Sequence, residues 1–137
     1  MTSNGLKELR ARLERVKQAA QEAAMQALIK GANDIADLQR QLVPEDEGDL
    51  RDSITVTLPG QSTPPYSQPG GSHVVGENAV AVTAGNSDVR YPHHVEHGTV
   101  KMEAQPYFHV AYRMRRDKIM RAAAAAYRRA ANKEWGK

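Results

Sequence analysis

Leu6, Leu9, Leu13, Val16, Ala20, Ala23 and Ala27 recur at alternating spacings of three and four residues, which lays them along one stripe of an α-helix. The stripe then drifts to Ala24, Leu28, Ile35, Leu38 and Leu42, as a straight helix does against a seven-residue repeat. The pattern predicts one helix over Leu6–Gln41, about 50 Å long at about 1.5 Å per residue. A chain of 137 residues makes about one domain. A compact domain of that size is shorter than such a helix, which must therefore protrude or lie across more than one subunit. Gly31 and Asn33 are the points at which it could divide into two. Pro44 closes the helical region, because proline disfavours helix in the residue before it.

After an acidic turn, Ser53 to Leu58 alternates apolar and polar residues and is rich in β-branched side chains, the pattern of a half-buried strand. Val74–Val75 and Ala79–Thr83 read as two further strand segments, with Gly76-Glu77-Asn78 as a tight connection. The segment Pro59–Ser72 holds four prolines, three glycines and no charge, a composition that suits an extended arm or a loop. Tyr66 is its one aromatic and the candidate anchor of an arm that orders on a neighbouring subunit. Pro106 sits where a helix begins, at a position that tolerates a missing N–H, and the chain to Lys133 is rich in strong helix formers. Phe108, Ala111, Ile119, Ala122, Ala123, Ala126 and Ala130 can supply its apolar side, and the alanines let a neighbouring helix approach closely. The expected class is α+β: a long N-terminal helix, a small mostly antiparallel sheet with a long Pro/Gly-rich loop, and a C-terminal helix packed on the sheet. All of it is expected to form a single domain over residues 1–137.

The chain has no cysteine, so disulfides and thiolate metal sites are excluded and any metal would need His, Asp or Glu. No charged segment precedes an apolar run at the N-terminus, and no apolar run approaches the roughly 20 residues that span a bilayer. A soluble protein without a signal peptide or a membrane partner is expected. The net charge is +3, but it is unevenly spread. Arg113 to Lys137 carries nine basic residues against Asp117 and Glu134, whereas Val43 to Gly60 carries five acidic residues against Arg51. Such asymmetry points to an acidic partner for the tail or to head-to-tail contact between identical copies.

Three kinds of chemistry bear weighing. His93-x-x-Glu96-His97 has the letters of an inverted zinc-protease motif, in which two histidines one turn apart hold the metal and Glu96 is the general base. A small zinc hydrolase is thus one alternative, although Pro92 and Gly98 bound the segment to scarcely two turns. His73, Glu103 and His109 are the candidates for a third ligand. A basic, non-specific DNA-binding protein is another, since Lys and Arg on the last helix can neutralise phosphates. No serine lies in a nucleophile elbow, and Gly70-Gly71-Ser72 leads into a strand-like segment rather than a helix, so nucleophilic catalysis and a nucleotide cofactor are not supported. No cofactor or metal is expected.

Two blocks of the sequence resemble the tail-component family of long-tailed bacteriophages, the tail-completion, neck or head-tail joining proteins. The first runs from Leu42 to Ile54, with Pro44, an acidic turn, Gly48, Leu50, Arg51, Ser53 and Ile54. The second has Tyr91, then Val95, Glu96, Gly98 and Thr99, then Gln105, Pro106, Tyr107 and Phe108 opening the last helix. His97 departs from the aromatic usual there, and His109-Val110 depart from the usual continuation. The resemblance implies a structural virion protein and not an enzyme: a homo-oligomeric ring, six-fold rather than twelve-fold, between the head connector or stopper protein and the tail tube protein. It would complete the tail, allow head-tail joining, pass DNA through its lumen without sequence-specific contact, and assemble in the host cytoplasm. In physical terms Gly48 and Gly98 are expected where the backbone turns without a side chain, Thr99 is expected to bond backbone in its turn, and Glu96 is expected to pair with Arg51.

Overall fold

The computed structural model describes residues 3–89, 92–98 and 106–137. Its elements are α1 (Ser3–Leu42), α2 (Gly48–Asp52), β1 (Thr55–Thr57), β2 (Ala81–Thr83), α3 (Pro92–His97) and α4 (Phe108–Trp135). The class is α+β, as the residue pattern implied. Tyr91, Thr99, Glu103 and Gln105 lie outside the described residues.

Helix α1 is continuous through Gly31 and Asn33. Asn33 does not divert the backbone, because its side-chain Nδ2 donates to the Ile29 carbonyl one turn back at 3.0 Å. Val43 still donates to the Gln39 carbonyl at 3.0 Å, and a turn closed by Glu47 N–H on the Pro44 carbonyl at 2.9 Å leads into α2. Helix α4 starts at Phe108 rather than at Pro106.

The chain divides into two compact units. One comprises Met1–Leu28 and Lys118–Lys137, that is, the first part of α1 and the last part of α4. Its buried apolar residues are Ala20 and Ala123, which fits the close helix approach expected of the alanine run. Ala122, expected on the same apolar side, is exposed, while Ile119, Ala126 and Ala130 are half-buried. The Arg12 guanidinium lies 4.2 Å from the centre of the Trp135 ring and donates to the Trp135 carbonyl, a stacked arrangement that also satisfies a helix-end acceptor.

The second unit is Ile29–Asp117. Strands β1 and β2 pair antiparallel with Thr55 opposite Thr83, Val56 opposite Val82 and Thr57 opposite Ala81. Around them Ala36, Val43, Leu50, Ile54, Ala84, Val89, Val95 and Tyr107 form one core, against which Val56, Val82 and Phe108 pack. The sheet is smaller than the sequence pattern suggested. Val74 makes an isolated bridge with Ser62 rather than a strand, because its neighbours bond within the proline-rich segment: Gly60 N–H to Val75, Val75 N–H to Gln61 and Thr63 N–H to His73. That segment is a loop closed on itself. Thr63 sits at its centre, its hydroxyl donating to the Gly71 carbonyl and accepting the His73 N–H, and reciprocal bonds between Gln68 and Ala84 fasten the loop to the end of β2. Tyr66 lies on its exposed side with φ at +62°.

Candidate functional site

Helix α3 is one short element of six residues, ended by Gly98, whose φ of +78° and N–H bond to the His94 carbonyl at 2.8 Å make a left-handed helix stop. The inward side of α3 carries Val95 and Glu96, only 2% and 7% exposed. Glu96 meets the start of α4, where the first backbone N–H groups have no partner within the helix. Its Oε2 accepts the N–H of Tyr107 and of Phe108, both at 2.8 Å, and its Oε1 accepts that of His109 at 3.1 Å. A carboxylate at a helix N-terminus is also favoured by the helix dipole. The Tyr107 hydroxyl returns the contact by donating to the Pro92 carbonyl at 3.2 Å, so α3 and the start of α4 are tied at two points.

Burial alone would push the Glu96 carboxyl upward. The N–H groups of Phe108, Tyr107 and His109 and the nearby His109 charge outweigh it and hold the carboxyl below its ordinary value of 4.5. Burial and the Glu96 charge together push the Tyr107 hydroxyl well above its ordinary value, so it remains a neutral donor. A cavity of about 100 Å³ opens beside these groups, lined in part by Gln68, Pro69, Glu96, His97, Tyr107 and His109.

This geometry corrects the expected Arg51–Glu96 pair. Glu96 bonds to the N–H groups that open α4, and Arg51 Nε donates to the Arg40 carbonyl near the end of α1 at 3.3 Å. Arg40 in turn donates to the Ile54 carbonyl at 2.9 Å and pairs with Asp37. The anion thus serves a helix start and the cation a helix end, the arrangement the two helix dipoles favour. The same geometry bears on the zinc reading, in which Glu96 would be the free base: both of its oxygens are taken by backbone donors. His97 is exposed with its ring centre 6.1 Å from that of His109, and no group of three or more metal-binding side chains occurs among the described residues.

The two sequence blocks meet in one place. Leu50 and Ile54 of the first share the core with Val95 and Tyr107 of the second, and Phe108 packs against it. Ser53 is buried; its hydroxyl donates to the Leu50 carbonyl at 2.7 Å and accepts the Gly85 N–H at 2.9 Å. Pro44 follows the last turn of α1, and Pro106 is exposed just before the three donors that Glu96 binds, where the lack of an N–H costs nothing. Gly48 differs from expectation: it opens α2 with nothing within 4 Å of where a Cβ would sit, so neither crowding nor a left-handed backbone requires glycine there.

Two residues of the site were not singled out in the sequence. Gly85 has φ of +100°, and a Cβ there would lie 2.9 Å from the Val89 carbonyl and 3.1 Å from Pro92. Gln39, wholly buried, donates from Nε2 to the Phe108 carbonyl at 3.2 Å. Its signal was present: a polar residue in the stripe of Ala32, Ile35, Ala36 and Val43.

Among the described residues no helix is long and apolar enough to cross a membrane. No curated protein and no solved structure matches the chain. The family described as "Bacteriophage HK97-gp10, putative tail-component" matches residues 7–98, about two thirds of the chain, including the first block and the second as far as Gly98. The chain belongs to this HK97-gp10-like family of bacteriophage tail components.

Proposed function

We propose that this tail component is a structural protein of the virion neck, forming a closed ring of identical subunits between the head connector and the tail tube. The observation that carries the reading is the use made of the two blocks. Leu50, Ile54, Val95 and Tyr107 build one core, and the ionised groups beside it, Glu96 and Arg51, are spent on helix ends. The blocks specify a shape rather than a reaction. The ring completes the tail and lets it join the head, and its neighbours are the connector or stopper protein and the tail tube protein. Six copies match tail symmetry and are favoured over twelve. Heterologous contacts that close produce such a ring, DNA passes through its lumen without sequence readout, and assembly takes place in the host cytoplasm. Tyr66, on the outer side of its closed loop, is a candidate contact between subunits.

Deleting the gene from the phage that carries it tests the reading. Electron microscopy of the lysate should show DNA-filled heads beside unjoined tails. Joined particles at normal yield, or absence of any tail, would overturn it.

A further inference from the structure

Charge is segregated between the two compact units. The unit of residues 1–28 and 118–137 has eleven Lys and Arg against four Asp and Glu, a balance of +7, and the unit of 29–117 has eight against twelve, a balance of −4. On α4, Lys118, Arg121 and Arg128 follow at spacings of three and seven, so they share the side turned away from buried Ala123. All three are exposed, and none makes an ion pair among the described residues, where the pairs are Arg40–Asp37 and Lys137–Glu134. On the acidic unit, Glu45, Asp46 and Asp49 are likewise exposed and without an ion pair among the described residues, in the turn before α2 and its first turn.

We infer that the basic stripe of α4 docks on the acidic turn around α2 of a second copy of this chain; the inference rests on the ring reading and names the contact that builds it. Like charge decides against pairing stripe with stripe, because the basic stripes of two +7 units facing each other repel. A basic patch on one copy that meets the acidic patch of the next can repeat head to tail, and a heterologous contact of this kind closes the ring that the neck reading requires. The exposed residues supply the long-range attraction that selects the partner and its register.

Because the chain has no native cysteine, single cysteines map the contact. Ala124 is exposed between Arg121 and Arg128 on the same side of α4, and Gly48 lies among the acidic residues with room for a side chain. Ala124→Cys and Gly48→Cys proteins are mixed and oxidised with diamide. The mixed disulfide should exceed either homodimer several-fold at low salt and fall toward the statistical ratio at about 1 M salt, where the Debye length is about 3 Å. Adding Glu45→Lys, Asp46→Lys and Asp49→Lys to the Gly48→Cys protein should remove the excess. Adding Lys118→Glu, Arg121→Glu and Arg128→Glu to its Ala124→Cys partner should restore it. A statistical ratio at every salt concentration, or an excess of the Ala124→Cys homodimer, overturns the contact. A statistical ratio with duplex-DNA retention that the three glutamate substitutions abolish would also overturn it, assigning the stripe to phosphates. The neck reading fails separately: unjoined heads and tails with a statistical ratio remove only this contact, and normal joining with the mixed disulfide intact removes only the neck role.

Discussion

The two compact units use helices in opposite ways. In the unit of residues 29–117, the end of α1 and the start of α4 are fixed by side chains from distant positions: Leu50 and Val95 against the apolar face, Arg51 at one helix end, Glu96 at the other. In the unit of residues 1–28 and 118–137 the buried apolar residues among those described are two alanines, while Leu6, Leu13, Met120 and Tyr127 remain exposed. Equal helical periodicity therefore does not mean equal burial. The unit of residues 29–117 uses its sequence to define a shape, and the unit of residues 1–28 and 118–137 presents charge and apolar side chains to its surroundings.

Removing core volume is the harshest way to break this contrast. Leu50→Ala should cost about 3–5 kcal/mol in urea unfolding followed by circular dichroism; a cost below about 1 kcal/mol would mean that the core collapses around the gap. Glu96→Ala leaves three N–H groups without their acceptor and should cost about 2–3 kcal/mol. Its pH dependence is also fixed in sign. The folded carboxyl lies below its ordinary value of 4.5, so its contribution is fully present above that value and fades as pH falls toward the lower folded-state value. The wild type should thus lose stability in acid more steeply than Glu96→Gln, and parallel acid titrations of the two would remove the helix-start role from Glu96. Gly85→Ala must relieve a Cβ 2.9 Å from a carbonyl at φ of +100° and should cost about 2 kcal/mol; no change would show that the turn relaxes freely. Leu13→Ala, on the exposed side of α1, should change stability by no more than about 0.5 kcal/mol in the isolated subunit. A larger cost would show that the helical unit buries that leucine after all.

The same contrast explains what the sequence made legible. Periodicity placed α1, alternation with β-branched residues covered β1, and a run of strong helix formers behind Pro106 placed α4. No such signal separated Ala123, which is buried, from Ala122, which is exposed, since the unbroken alanines from Ala122 to Ala126 offer no apolar–polar contrast to mark a face. The role of Glu96 was hidden for a different reason: its donors start eleven residues away, and nothing local distinguishes a helix-start acceptor from a catalytic base flanked by histidines. Opposite charge suggested Arg51 as its partner, but backbone groups at two helix ends compete for both side chains and win. The short β2 and the isolated Val74 bridge follow from the proline-rich loop, whose internal bonds no alternation pattern records. Gly85 was illegible because its constraint comes from Val89 and Pro92 folding back over it.

Amide hydrogen exchange at Tyr107, Phe108 and His109, read by NMR in the wild type and in Glu96→Gln with and without chelator, tests most directly whether these blocks are architecture. The wild type should show protection that chelator leaves untouched and that Glu96→Gln reduces about tenfold or more. Exchange unchanged by the substitution, or protection lost on chelation, would contradict the architectural role and return Glu96 and its histidines to metal chemistry.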